Sequence, residues 1–139
     1  MGKINVARVI MGGLLAGLVV NISETILNLV VVAQAMEDAL KALNLPAIGG
    51  PAISGFVVMA FVLGIVTVWL YAAIRPRFGA GVQTAIVAGV AVWFFAYLYP
   101  GVGLGLMGMF PIKLNVIGLV WGFAEIVIGS IAGAWVYSE

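Results

Sequence analysis

Glu24 and Glu125 are two of only five acids in a chain of 139 residues, and each lies within a long apolar run. At the centre of a bilayer a charged side chain costs about 2.5–3.5 kcal/mol on insertion scales, so it faces a protein interior, a polar cavity or a partner. The chemistry open to such a pair is limited: proton carriage, cation binding, or hydrogen bonding that holds helices together. Asn21, Ser23, Asn28 and Ser130 share the same apolar runs and form, with the two acids, a candidate intramembrane polar site. No Lys or Arg lies near the middle of any run, so neither acid has an intramembrane cation within its own chain. If the carboxyls approach each other they titrate as one unit rather than as two separate groups.

Other chemistries lack the residues they need. Histidine and cysteine are both absent, which removes the common ligands of haem, copper and zinc, and all thiol chemistry. A pigment or metal held by Glu or Asn is therefore the weakest of the binding readings, and no cofactor or metal site is expected. A lipid-directed enzyme needs a nucleophile, a His or metal-binding acids at the interface. The loops offer Glu37, Asp38 and Lys41, so no catalytic residue is assigned and the chain is expected not to be an enzyme. The six Lys and Arg are scattered, with no basic run to suggest nucleic acid.

The elements that position the acids follow from composition. The chain is 65% hydrophobic and 8% charged, with mean hydropathy +1.27, against about 25% charged residues in a soluble domain. The expected class is all-α: a polytopic membrane protein forming one domain over residues 1–139, a bundle of four transmembrane helices. The first span runs from Val6 to Val32. Ala33-Gln34-Ala35 resembles a cleavage site, but a signal peptide has an apolar core of about 7–15 residues, and this run is longer and interrupted by polar groups. Residues 34–44 place Met36, Ala39, Leu40 and Leu43 on one helical face and Glu37, Asp38 and Lys41 on the other, a short amphipathic helix after the first span. Pro46 and Gly49-Gly50-Pro51 turn the chain back. The remaining spans cover Ile53–Ile74, Gly81–Tyr99 and Lys113–Tyr137. Each has the roughly 20 apolar residues a bilayer requires. Pro76 and Pro100 are expected to stop the second and third. Gly101–Phe110 is too short to cross and is expected to lie in the interface or tuck into the bundle.

The same offset relates Gly17-Leu18-Val19 and Glu24 to Gly118-Leu119-Val120 and Glu125. On helices, Gly13, Gly17, Asn21, Glu24 and Asn28 share one stripe, and Gly118, Gly122, Glu125, Gly129 and Gly133 share another. Small residues four apart let helices approach closely in lipid. The first and fourth spans are expected to pack through these stripes, which sets the acids at similar depth. A second echo relates Val68-Trp69-Leu70-Tyr71-Ala72 before Pro76 to Val92-Trp93-Phe94-Phe95-Ala96 before Pro100. An inverted repeat of the transporter kind would produce it. Two aromatic interface endings before a helix-stopping proline also produce it, and that reading is preferred.

Lys3, Arg8, Arg75 and Arg77 fall on one side of the membrane, and Lys41 and Lys113 on the other. The excess favours the first side as cytoplasmic, with both termini inside. Trp69, Tyr71, Trp135 and Tyr137 are then expected to anchor that interface, and Tyr97 and Tyr99 the opposite one.

In its four spans and an acid in the first, the chain is similar in size and layout to the small multidrug exporters. Asn21-Ile-Ser-Glu-Thr-Ile26 and the second acid depart from their pattern, and no exporter residue is carried over. The segment from Phe110-Pro-Ile-Lys-Leu-Asn to Gly129-Ser-Ile-Ala-Gly133 and Trp135 resembles small four-helix bacterial inner-membrane proteins of unknown function. That resemblance covers about 30 residues, and it implies a fold and a bacterial cytoplasmic membrane but no activity. The functional expectation is an accessory or structural subunit of a larger membrane complex, touching lipid and other subunits or a second copy of itself. The alternative is a small proton- or cation-coupled transporter, a homo-oligomer working through Glu24 and Glu125.

Overall fold

Backbone groups in lipid have no water to bond, and a helix satisfies them within its own segment. The computed structural model describes residues 3–138, and among them it holds helices and no strand. Helix α1 spans Val6–Ile26 and continues through a π turn at Leu27–Val31. Helix α2 is Ala33–Ala42, and α3 is Gly50–Phe78. Helix α4, Val82–Trp93, runs through a second π turn, Phe94–Leu98, into α5, Tyr99–Leu106. Helix α6 is Ile112–Val136. Four stretches are long and apolar enough to cross a membrane: Val6–Val31, Gly50–Phe78, Val82–Leu106 and Ile112–Val136. The chain thus has the make-up of a multi-pass membrane protein.

The prolines do not stop the helices. Pro76 lies inside α3, and Pro100 lies within the continuous third stretch. A proline ring clashes with the carbonyl four residues back in a regular helix. Ahead of Pro100 the ladder has already widened: the Tyr99 amide donates to the Phe94 carbonyl, five residues back. Gly101–Leu106 is accordingly the last part of the third membrane-length stretch. The aromatic endings therefore owe nothing to helix-stopping prolines.

Glycine governs how closely the helices meet. Gly12 and Gly13 sit back to back on α1. Gly13 and Gly17 face α3 at Ile65 and Phe61, and Gly64 of α3 lies against both. Gly12 faces Gly133 of α6. The α1 stripe through Gly13 and Gly17 thus serves α3. The α1–α6 contact uses Gly12, Ala16, Gly129 and Gly133 instead, one residue around the helix. Helix α4 packs on α6 with Gly89 against Val127 and Ser130. There the buried Ser130 hydroxyl donates to the Ala85 carbonyl at 2.7 Å.

At the end carrying Asn5 and Val136, Tyr71 and Tyr137 are buried and meet edge to face at 6.0 Å. The Arg75 guanidinium lies 5.5 Å from the Tyr137 ring centre. The Tyr137 hydroxyl accepts from the Asn5 amide, and the Tyr71 hydroxyl accepts from the Gly81 amide. These two tyrosines thus pack inside the protein, whereas Trp69 and Trp135 point outward. At the other end α2 covers the mouth between α1 and α6. Ala39 is buried and Met36 packs near Leu27, Val32 and Leu114, while Glu37, Asp38 and Lys41 are exposed. A hydrogen bond to Glu37, at 2.6 Å, and that residue's charge hold the Lys41 ammonium above its usual range.

A Cβ added at Gly64 would overlap the Gly13 carbonyl oxygen and the Gly17 amide, both backbone atoms that cannot rotate away. Gly64→Ala should therefore destabilise the fold by about 1–3 kcal/mol through overpacking. Gly55→Ala, where a Cβ meets nothing within 4 Å, should be neutral or stabilising by up to about 1 kcal/mol, because alanine is the better helix former. Unfolding of the two variants in mixed micelles measures the difference.

Candidate functional site

The regular part of α1 ends just beyond Glu24. In the π turn that follows, the Val32 amide reaches back five residues to the Leu27 carbonyl, at 2.9 Å. The turn holds Asn28, whose amide nitrogen donates at 2.8 Å to both the Glu24 carbonyl oxygen and Glu24 Oε2. The second π turn carries Tyr97. Its hydroxyl donates to Glu125 Oε1 at 2.8 Å, and its ring lies against Gly122, one turn before Glu125 on α6. Any side chain at Gly122 would displace that ring. Single π turns inside helices recur at functional sites, where the extra residue re-aims a side chain. Here each of the two turns presents the hydrogen-bond donor of one acid.

Glu125 is buried, with 3% of its surface exposed, while Glu24 is half-buried. The Glu24 carboxyl and the Ser23 hydroxyl both reach the Glu125 carboxyl, so the two acids meet across the α1–α6 contact. Ser23 Oγ accepts from Trp121 Nε1 at 2.8 Å, which fixes the hydroxyl and leaves its own proton free to donate. Glu125 Oε2 is fully buried and has no donor aligned on it. A carboxyl–carboxyl contact is bonding when a proton lies between the oxygens and repulsive when none does. Chemically, the pair can therefore act as a clasp that shares a proton or holds a cation between its oxygens.

Beside the clasp lies an open cleft of about 370 Å³ between the π end of α1, α5 and the first turns of α6. Glu24, Asn28, Tyr97 and Asn115 supply its polar wall, and leucines, Pro100, Met36 and Phe110 much of the rest. Asn115 donates to the Gly101 carbonyl at 2.8 Å and ties α5 to α6.

Of the polar residues singled out in the sequence, Glu24, Glu125, Asn28 and Ser23 come together. Asn21 and Ser130 do not. Asn21 donates to the Val57 carbonyl of α3, and Ser130 to Ala85. Among the packing glycines, Gly118 stands apart: a methyl group added there would meet nothing within 4 Å, and the residue borders the cleft instead of a helix. Tyr97, Trp121 and Asn115 are members of the site that sequence reasoning misses. Tyr97 points inward onto Glu125. Of these, Asn115 alone has a sequence signal, helical spacing: Asn115, Gly118, Gly122 and Glu125 follow one stripe of α6.

Glu24 lies two turns from the end of the first stretch, off the middle, while Glu125 is near the centre of α6.

No family model, no curated protein and no solved structure matches the chain.

Removing the Tyr97 hydroxyl strands a buried carboxyl oxygen, and Tyr97→Phe should cost about 1–3 kcal/mol. In a Glu125→Met background the same change should cost much less, since no acceptor is left to strand. Mixed-micelle unfolding of the four proteins of this cycle measures the coupling.

Proposed function

We propose that the chain is a small transporter of the bacterial cytoplasmic membrane, exchanging protons for a cationic solute at the Glu24–Glu125 pair. In this reading the four membrane-length helices form a single bundle with α2 on the membrane surface, and the protein works as a homo-oligomer. The observation that carries it is the meeting of two acids beside a cleft with no basic side chain in its lining. A cation entering the cleft compensates the carboxylate charge and frees the proton held there. Proton and cation compete for one site, which is the physical basis of exchange.

A second reading is favoured by one feature. The first ten residues of α3, Gly50–Met59, are all exposed and mostly apolar. An accessory subunit would seat this face on another membrane protein. A stoichiometric larger protein co-purifying in mild detergent would support that reading, and an isolated homo-oligomer would count against it.

Orientation follows the excess of basic residues at Lys3, Arg8, Arg75 and Arg77, with both termini cytoplasmic. The chain has no cysteine, so single-cysteine variants report topology without background. Lys41→Cys in intact cells should react with a membrane-impermeant maleimide, and Arg77→Cys only after permeabilisation.

Transport is tested in pyranine-loaded vesicles with an acid interior. Added Na⁺, K⁺ or organic ammonium should dissipate the gradient faster than in protein-free vesicles, and Glu125→Gln should abolish the excess. Equal rates for the wild type and Glu125→Gln with every cation would reject the exchange reading.

A further inference from the structure

The polar wall of the cleft is unusual in what it has left to offer. Asn28 spends both amide N–H bonds on Glu24, and Asn115 spends one of its two on the Gly101 carbonyl. Each amide is thereby oriented, and each keeps its side-chain carbonyl as an acceptor. The Tyr97 hydroxyl is committed to Glu125. Glu24 adds a carboxylate, the only charged group in the lining. Behind it stands Glu125 Oε2, buried and without an aligned donor. The wall thus presents acceptors and negative charge, so its complement is a positively charged hydrogen-bond donor.

The remaining lining is apolar, with Leu27, Leu104, Leu114 and Leu119 prominent. A hard cation such as Ca²⁺ takes about 6–8 oxygen ligands. Glu24, Asn28, Asn115 and the Tyr97 hydroxyl supply the side-chain acceptor oxygens of this wall, fewer than such an ion takes, and no group of three His, Cys, Asp or Glu stands together among the described residues. A volume of about 370 Å³ instead falls within the range of sites for small organic ligands.

We propose that the cleft binds a free hydrophobic primary amine in its ammonium form, the N–H groups on Glu24, Asn28 and Asn115 and the apolar body along the leucines. This rests on the reading of the carboxyl pair as a cation site and names the solute class. The depth of the site selects a free amine over an aminophospholipid. Glu24 lies seven residues before Val31, about 10 Å along the helix axis, and a lipid headgroup would have to sink that far below its own level.

The test is calorimetric titration of the purified full chain in detergent with phenethylammonium chloride and with its N,N,N-trimethyl analogue, which keeps the charge and loses every N–H. The primary ammonium should bind, and the trimethyl analogue should bind about tenfold more weakly or worse, the weight of charge-assisted hydrogen bonds. Glu24→Gln should weaken the primary ammonium by a similar factor. Leu104→Trp fills the cleft from an exposed position without touching a carboxyl. It should abolish amine binding while leaving the unfolding midpoint unchanged, and so separates a lost site from a lost fold. Equal affinity for the two ammonium ions would overturn the proposal. So would stoichiometric phosphatidylethanolamine retained by the wild type and lost in Leu104→Trp. Binding of Na⁺, K⁺ or Ca²⁺ that depends on Glu24, without amine binding, would overturn the amine and leave the carboxyl site standing. No binding by any cation would overturn both.

Discussion

The hydrogen bond from Tyr97 to Glu125 joins the third and fourth membrane-length helices, and the contact of Glu125 with Glu24 and Ser23 joins the fourth to the first. A carboxyl away from water needs polar partners, and those it recruits set the rotation and height of the helices that carry them. Trp121 on Ser23 and Trp93 on the Leu119 carbonyl extend the same accounting. Indole N–H groups that would be unsatisfied in lipid become cross-helix ties. These bonds add specificity more than stability, since interhelical hydrogen bonds within membranes average only about 0.6 kcal/mol.

Close packing is supplied elsewhere. Gly12, Gly13 and Gly17 let α1 approach two neighbours at once, α6 through Gly133 and α3 through Gly64. Without a hydrophobic driving force between helices in lipid, such backbone-to-backbone approach supplies the van der Waals contact that holds them. The two π turns lie beyond the Gly12, Gly13 and Gly17 contacts of α1 and beyond Gly89 of α4. Each adds a residue to a turn and changes the direction of the side chains after it. Asn28 is carried over Glu24 and Tyr97 over Glu125, at the margin of the tight zone.

Much of this is legible in the sequence, and the failures share a cause. Four membrane-length stretches follow from apolar length, because lipid leaves the backbone no other solution. The acids, Ser23 and Asn28 stand out because polar groups are rare there. What sequence does not carry is rotation. A shift of one residue turns a helix by about 100°, so the Gly13–Gly17 stripe, which spacing assigns to α6, faces α3, and the adjacent Gly12 takes the α6 contact. Tyr71, Tyr97 and Tyr137 carry the composition of an interface belt, but their hydroxyls find partners inside, a choice that depends on the neighbouring helix. Pro100 reads as a stop because a regular helix cannot seat it, and the π turn that can is a tertiary accommodation with no local signature.

The molecule divides along its length. Toward Asn5 and Tyr137, glycines meet backbone, tyrosines are buried and helices lock. Toward α2, Gly55, Gly103 and Gly118 have open space beside them, α3 stands apart and the cleft opens. Loosely packed regions are where proteins open at low free-energy cost. The carboxyl pair sits at the boundary. Glu125 is anchored in the tight half through Tyr97 and α6, and Glu24 lies at the edge of the loose half, held by Asn28 in a π turn. The pair thus ties the better-packed half of the molecule to the looser one.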